Sequence, residues 1–129
     1  DEILVGIGVN STKKYFFPLE TRLEMLRAAF KGVPNVSVHT YEGLTVKFAQ
    51  AHAAQFLLRG LRTGQDLDYE RGVALINQKL APEMETVFLT ASGAFIDISS
   101  TLVREIVRYH GDPTGLVPEA VAAIIAQQK

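Results

Sequence analysis

Apolar residues recur along this chain in two rhythms, short runs and helical stripes, and the two alternate. Ile3 to Val9 is an apolar run with two glycines, long enough for a buried strand and too short for a helix. Phe17-Pro18 then opens a stretch with Leu19, Leu23, Leu26 and Phe30 on one helical face and Glu20, Glu24 and Arg27 elsewhere. Pro18 suits a first helical position and Lys31-Gly32 an exit. A second strand is predicted over Asn35 to Tyr41, where Val36 and Val38 alternate, and a short helix over Thr45 to Ala54 with Val46, Phe48 and Ala49 apolar. Gln55 to Arg59 reads as a third strand. Asp66 reads as the N-cap of a helix with Val73, Ile76 and Leu80 on its inner face. Glu85 to Thr90 reads as a fourth strand, followed by a loop over Ala91 to Ile98. Ser99 or Ser100 caps a helix bearing Leu102, Val103 and Ile106, and Pro118 starts a last one with Val121, Ile124 and Ile125 inward.

Strands alternating with helices predict right-handed βαβ units on a parallel sheet, an α/β fold. No repeat, linker or low-complexity stretch interrupts the order, so residues 1–129 are expected to form one domain. With 47% hydrophobic and 21% charged residues, the chain can build a core and is not of the disordered class. Thirteen basic residues against fourteen acidic ones give a net charge of −1 and no basic excess for coating a nucleic acid, though local clusters suffice for a small anion. The absence of cysteine excludes disulfides, thiolate zinc and a cysteine nucleophile. No apolar run approaches a membrane span and no basic-then-apolar signal opens the sequence, so a cytoplasmic protein without a membrane partner is expected.

In parallel sheets of this kind ligands sit beyond the carboxyl ends of the strands, so the loops that follow the strands are where chemistry is sought. The first carries Asn10 to Lys14, with Lys13 and Lys14 adjacent; the third strand runs into Arg59-Gly60-Leu61-Arg62; the fourth leads to Ile98-Ser99-Ser100-Thr101 at a helix start. Each has an ordinary explanation, a solvated lysine pair or a helix cap. Together they offer two cationic loops and a hydroxyl-rich helix N-terminus, the combination that suits polyphosphate. Arg59 is the least ordinary, because it follows Phe56-Leu57-Leu58 where a buried strand is expected to surface.

Lys13-Lys14, Arg59-Gly60-Leu61-Arg62, Asp66-x-x-Tyr69-Glu70, Leu80-Ala81-Pro82-Glu83, Ile98 to Glu105 and Gly111-Asp112 occur in that order. In these segments the sequence resembles the bacterial phosphopantetheine adenylyltransferase family of the nucleotidyltransferase superfamily. The resemblance implies a doubly wound, Rossmann-like nucleotidyltransferase fold with strand order 3-2-1-4-5. The family opens with a strand and a Gly-x-Phe-Asp-Pro loop leading to a Gly-His pair, whereas this sequence begins near the family's second strand. The expectation is therefore a nucleotidyltransferase domain shortened at its N-terminal side, its central first strand absent from the sequence and a slot left between Ile3–Val9 and Gln55–Arg59. His39, His52 and His110 do not replace the missing histidine and read as structural or surface residues.

The reaction that the resemblance implies is adenylyl transfer from ATP to 4′-phosphopantetheine, giving dephospho-coenzyme A and pyrophosphate. Lys13 and Arg59 would grip the acceptor phosphate and Thr45 would meet the pantetheine arm. Gly60, Leu61 and Arg62 would line the nucleotide, with Lys13 and Arg62 as the catalytic cations. Glu70 would bond the ribose, and Phe95, Ile96, Asp97, Ile98, Ser99, Ser100 and Thr101 would wrap the adenine and the triphosphate. A Mg²⁺ would be carried by the ATP phosphates with no protein ligand assigned. Coenzyme A and dephospho-coenzyme A would share the acceptor site, and a homohexamer is implied. Two other readings stand beside this one: a related nucleotidyltransferase with a different acceptor, and a non-catalytic coenzyme A or nucleotide binder.

Overall fold

The computed structural model describes residues 1–10 and 12–128, so Ser11 of the first loop lies outside the described residues. β1 (Ile3–Gly8) runs parallel to β2 (Val36–Tyr41), with Ile3 opposite Val36 and Gly8 opposite Tyr41. β3 (Phe56–Leu61) and β4 (Glu85–Thr90) are parallel as well, from Phe56 opposite Glu85 to Leu61 opposite Thr90. A parallel pair needs a crossover, and helices supply it: α1 (Leu19–Ala29) joins β1 to β2, and α3 (Gly64–Leu80) joins β3 to β4. α2 (Thr45–Ala51) lies between β2 and β3 in sequence, and α4 (Ser100–Arg108) and α5 (Glu119–Gln127) follow β4. Among the described residues the nine elements are those predicted, in order. The chain divides into two compact units, Asp1–Tyr41 with Ile98–Lys129, and Glu42–Asp97.

In the first unit α1 packs against β2 and α5. Its predicted stripe of Leu19, Leu23, Leu26 and Phe30 is half-buried, and α5 buries Ile124 and Ile125. α4 begins at Ser99, whose Oγ accepts from the Leu102 N–H at 3.2 Å. It ends in a left-handed turn: His110 takes φ 62°, its N–H reaches the Val107 carbonyl, and the Gly111 N–H reaches the Ile106 carbonyl at 2.8 Å. That pair of bonds satisfies carbonyls which a helix end leaves open. Leu102 is exposed, because Val103, Ile106 and Val107 fill the half-buried arc and leave it at the margin.

The second unit is built on Val46 and Ala49 of α2 packed with Ala81 and Met84, flanked by Ala54 and Leu57. Burying side chains of this kind is worth roughly 1.5–3 kcal/mol for each large one. Gln50 Nε2 donates to Glu83 Oε1 at 2.7 Å and ties α2 to the turn after α3. α2 stops at Ala51, short of the predicted Ala54, because Ala53 turns left-handed at φ 55°. Its N–H meets the Gln50 carbonyl and that of Ala54 meets the Ala49 carbonyl.

Three expectations need correction here. β3 continues through Gly60 and Leu61, so Arg59 lies inside the strand and not at its end; the ladder to Leu89 and Thr90 holds both residues in it. Phe56 and Leu58 are exposed, because the two-residue period of a strand puts Leu57 and Leu61, with Arg59 between them, on the opposite, packed face. Most instructive is α3, where Val73, Ile76 and Leu80 are 37%, 55% and 48% exposed instead of inward. The less exposed positions are Asp66, Glu70, Ala74 and Asn77, a stripe at helical spacing. Two polar links fix that rotation: Asp66 bonds the chain leaving β3, and Glu70, one turn on, holds Arg59.

Candidate functional site

The carboxyl end of β3 carries the densest polar constellation of the second unit. Arg59 projects from the strand and meets Glu70 of α3 through two parallel bonds, Nε to Oε2 at 3.0 Å and Nη2 to Oε1 at 2.7 Å. The arginine side chain is 54% exposed and the glutamate 13%. Both partners therefore sit at a rim with the carboxylate on the inner side.

Four residues on, the chain turns into α3 at Thr63, and Asp66 organises that turn. Its carboxylate accepts from the backbone N–H of Arg62 at 2.9 Å and of Thr63 at 3.3 Å, while Thr63 Oγ1 accepts from the Asp66 N–H at 3.1 Å. Thr63 is the N-cap and Asp66 its reciprocal partner, not the cap predicted. The Arg62 N–H bond holds the Asp66 carboxyl below its ordinary value; slight desolvation opposes this, and the Thr63 N–H and the Arg62 charge reinforce it. The Arg62 guanidinium stands 3.7 Å from the same carboxylate. Gly60 lies between the arginines with nothing within 4 Å of where a Cβ would be, leaving the backbone open there.

The loop after β4 starts beside this corner, since the Ala91 N–H donates to the Leu61 carbonyl at 2.7 Å. It carries Phe95, Ile96 and Asp97, all exposed, after a turn closed by the Phe95 N–H on the Ser92 carbonyl. The fold thus gathers Arg59, Gly60, Leu61, Arg62 and Glu70 about the end of β3, with the 91–97 loop leaving the same edge. Thr45 stands elsewhere in the unit, as the half-buried first residue of α2.

In the first unit Lys13 follows β1, exposed, with its N–H on the Asn10 carbonyl and its ammonium 5.4 Å from the Tyr15 ring centroid. Arg22 covers the same ring at 3.9 Å. Ile98 and Ser99 are half-buried and lead into α4, whose first turn presents the N–H groups of Ser100 and Thr101 at the positive end of the helix dipole. Arg104 Nη2 donates to Thr101 Oγ1 at 3.3 Å. Of the histidines, His39 meets Ser37 Oγ across 2.8 Å in β2, His52 caps the C-terminus of α2, and His110 makes the turn after α4.

Reading the chain as a sequence missed two features of this site. The Asp66 link to Arg62 is foreshadowed by Thr63-x-x-Asp66, the spacing of a reciprocal cap. The Arg59–Glu70 pair has no local signature, being separated by 11 residues across a strand and a helix.

A parallel α/β frame with cationic side chains where a strand ends is the architecture of a Rossmann-like nucleotidyltransferase. Comparison with known proteins gives the same class, since the family model for cytidylyltransferase-like proteins matches residues 1–106. Phosphopantetheine adenylyltransferase of Flavobacterium johnsoniae is 47% identical over 121 residues, covering 94% of this chain and 79% of that protein. The enzyme of the same name from Desulforudis audaxviator is 45% identical over 97% of this chain and 77% of its own length. For Bacteroides thetaiotaomicron the figures are 44%, 94% and 80%. The chain belongs to the phosphopantetheine adenylyltransferase family, within the cytidylyltransferase-like class. No described helix is long and apolar enough to cross a membrane.

Proposed function

We propose that the protein transfers the adenylyl group of ATP to 4′-phosphopantetheine, releasing pyrophosphate and forming dephospho-coenzyme A. The observation that carries this reading is the pair of guanidiniums on either side of Gly60 and Leu61, the last residues of β3, each tied to its own α3 carboxylate, Arg59 to Glu70 and Arg62 to Asp66. Such a pair suits two phosphate groups presented side by side. Membership of the family supports the choice of acceptor.

The nucleophile is the acceptor's phosphate oxygen. A monoester's second pKa of about 6 leaves it ionised at neutral pH, so the step needs no general base. The oxygen attacks the α-phosphorus of ATP, the bond to the bridging oxygen of the β-phosphate breaks, and the electron pair leaves with pyrophosphate. What the chain supplies is alignment and charge. In this reading Arg59 and Lys13 hold the acceptor phosphate, Thr45 meets the pantetheine arm, and Arg62 neutralises the leaving pyrophosphate. Gly60 offers open backbone to the nucleotide, with Leu61 beside it. Phe95 supplies an exposed ring for the adenine, Ile96, Asp97 and Ile98 complete that wall, and Ser99, Ser100 and Thr101 donate to the triphosphate. Glu70 stands where the resemblance puts a ribose contact.

Mg²⁺ belongs to the proposal as an ion carried by the ATP phosphates. Among the described residues no group of three or more His, Asp or Glu side chains could hold a metal. Its two units are read as one domain, because a single family model runs through both. A cytoplasmic location belongs to the proposal as well. Self-association is supported by the open stripe of Tyr69, Val73, Ile76 and Leu80 on α3, an apolar face that a second copy would cover.

The test is pyrophosphate release from ATP and Mg²⁺ with 4′-phosphopantetheine, and with pantetheine lacking the phosphate. Release with the first alone is expected. Binding of both substrates without release identifies a non-catalytic binder, and release only with another phosphorylated acceptor identifies a different transferase.

A further inference from the structure

The Arg59–Glu70 contact has an orientation that matters. A guanidinium has two edges able to make paired hydrogen bonds, a side edge of Nε with one terminal nitrogen and an end edge of the two terminal nitrogens. Glu70 takes the side edge, Nε at 3.0 Å and Nη2 at 2.7 Å. The end edge belongs to a side chain 54% exposed, whereas the carboxylate behind it is 13% exposed. Glu70 is itself placed by a helix whose start is pinned to the same strand exit through Asp66.

We infer that Glu70 is a positioning residue for the acceptor phosphate, acting through Arg59 by holding the guanidinium's side edge so that its end edge faces the phosphate. The inference rests on the proposed reaction and gives Glu70 a task separate from any contact to the ribose. Arginine has several rotatable bonds, and ordering a side chain of this kind on binding costs affinity. A bidentate carboxylate orders it beforehand. Each Glu70 oxygen bonded to Arg59 has further acceptor capacity, so the task does not exclude a ribose contact. Gln is nearly the same shape but has one oxygen and no charge, so it cannot give each arginine nitrogen an oxygen of its own.

The experiment measures kcat and KM for 4′-phosphopantetheine and for ATP in the wild type, Glu70→Gln, Arg59→Ala and the double variant. Glu70→Gln is expected to raise the acceptor KM by about tenfold with kcat changed by less than about threefold, the size of one well-made charge-assisted contact. In the Arg59→Ala background the same substitution is expected to leave the acceptor KM within about twofold. Glu70→Asp, which keeps the charge on a shorter arm, is expected to fall between wild type and Gln. An unchanged acceptor KM in Glu70→Gln overturns the inference, as does an equal loss with and without Arg59. If Glu70→Gln affects ATP alone, this inference falls and the proposed reaction stands. If the wild type turns over neither substrate, the proposed reaction fails and takes the inference with it.

Discussion

Ile106 closes over Gly111 so tightly that a Cβ at position 111 would lie 2.8 Å from Ile106 Cγ2 and 3.2 Å from the Ile106 carbonyl oxygen. The same carbonyl accepts the Gly111 N–H that ends α4, so the close approach and the helix stop are one feature. Gly111→Ala must either break that bond or push Ile106 off its packing. A loss of about 1–3 kcal/mol is expected, as for other overpacked sites. Denaturant unfolding checks it, and a midpoint equal to the wild type would show that the turn yields freely.

The turn after α2 predicts the opposite sign. Ala53 holds φ 55° without the freedom of glycine, its own N–H on the Gln50 carbonyl and the next one on the Ala49 carbonyl. Ala53→Gly removes a steric cost of order 1–2 kcal/mol while adding disorder to the unfolded chain. A net gain of about 0.5–1 kcal/mol is expected, read as a higher Tm. His110 at φ 62° should respond in the same direction.

How far the chain announced this structure can be judged residue by residue. Every strand and helix was legible, because periods of two and 3.6 are local properties. The rotation of α3 was not: Val73, Ile76 and Leu80 form the more apolar stripe, yet Asp66 and Glu70 decide which side faces the strands. Hydrophobicity ranks faces, whereas a bidentate ion pair with a residue on another element fixes one. For the site, Arg59 and Arg62 were visible as residue types in a loop-like segment. Their carboxylate partners became visible only once α3 was folded back on β3.

The start of α3 makes a prediction about acid. Hydrogen bonds to its ionised form depress the Asp66 carboxyl, so its contribution to stability is complete above the unfolded carboxylate value of about 3.9 and is lost as pH falls through the lower folded value. Wild type and Asp66→Asn should differ in Tm at pH 7, and the difference should shrink below pH 4. A gap that stays constant down to pH 2 would contradict the assignment. Thr63→Ala removes the other half of the cap and should cost about 1 kcal/mol at every pH.

The two arginines should separate by ligand. Arg59→Ala is expected to weaken 4′-phosphopantetheine more than ATP. Arg62→Ala should weaken ATP more and slow turnover as well if, as proposed, it neutralises the charge that builds on the leaving pyrophosphate. A charge-assisted phosphate contact is worth on the order of 2–4 kcal/mol to its own ligand. Calorimetric titration of each variant with each ligand decides it. Equal losses throughout would mean a shared field in place of assigned roles.

The packing of α1 against α5 imposes an order of events during synthesis. Glu42–Asp97 is one continuous stretch and carries all of its own core, so it can close as soon as it leaves the ribosome. The first unit is discontinuous: the apolar stripe of α1 waits for α5, which is made about 90 residues later. At bacterial or eukaryotic elongation rates that is roughly 5–20 s. For that interval Leu19, Leu23, Leu26 and Phe30 lack the partner helix that helps cover them.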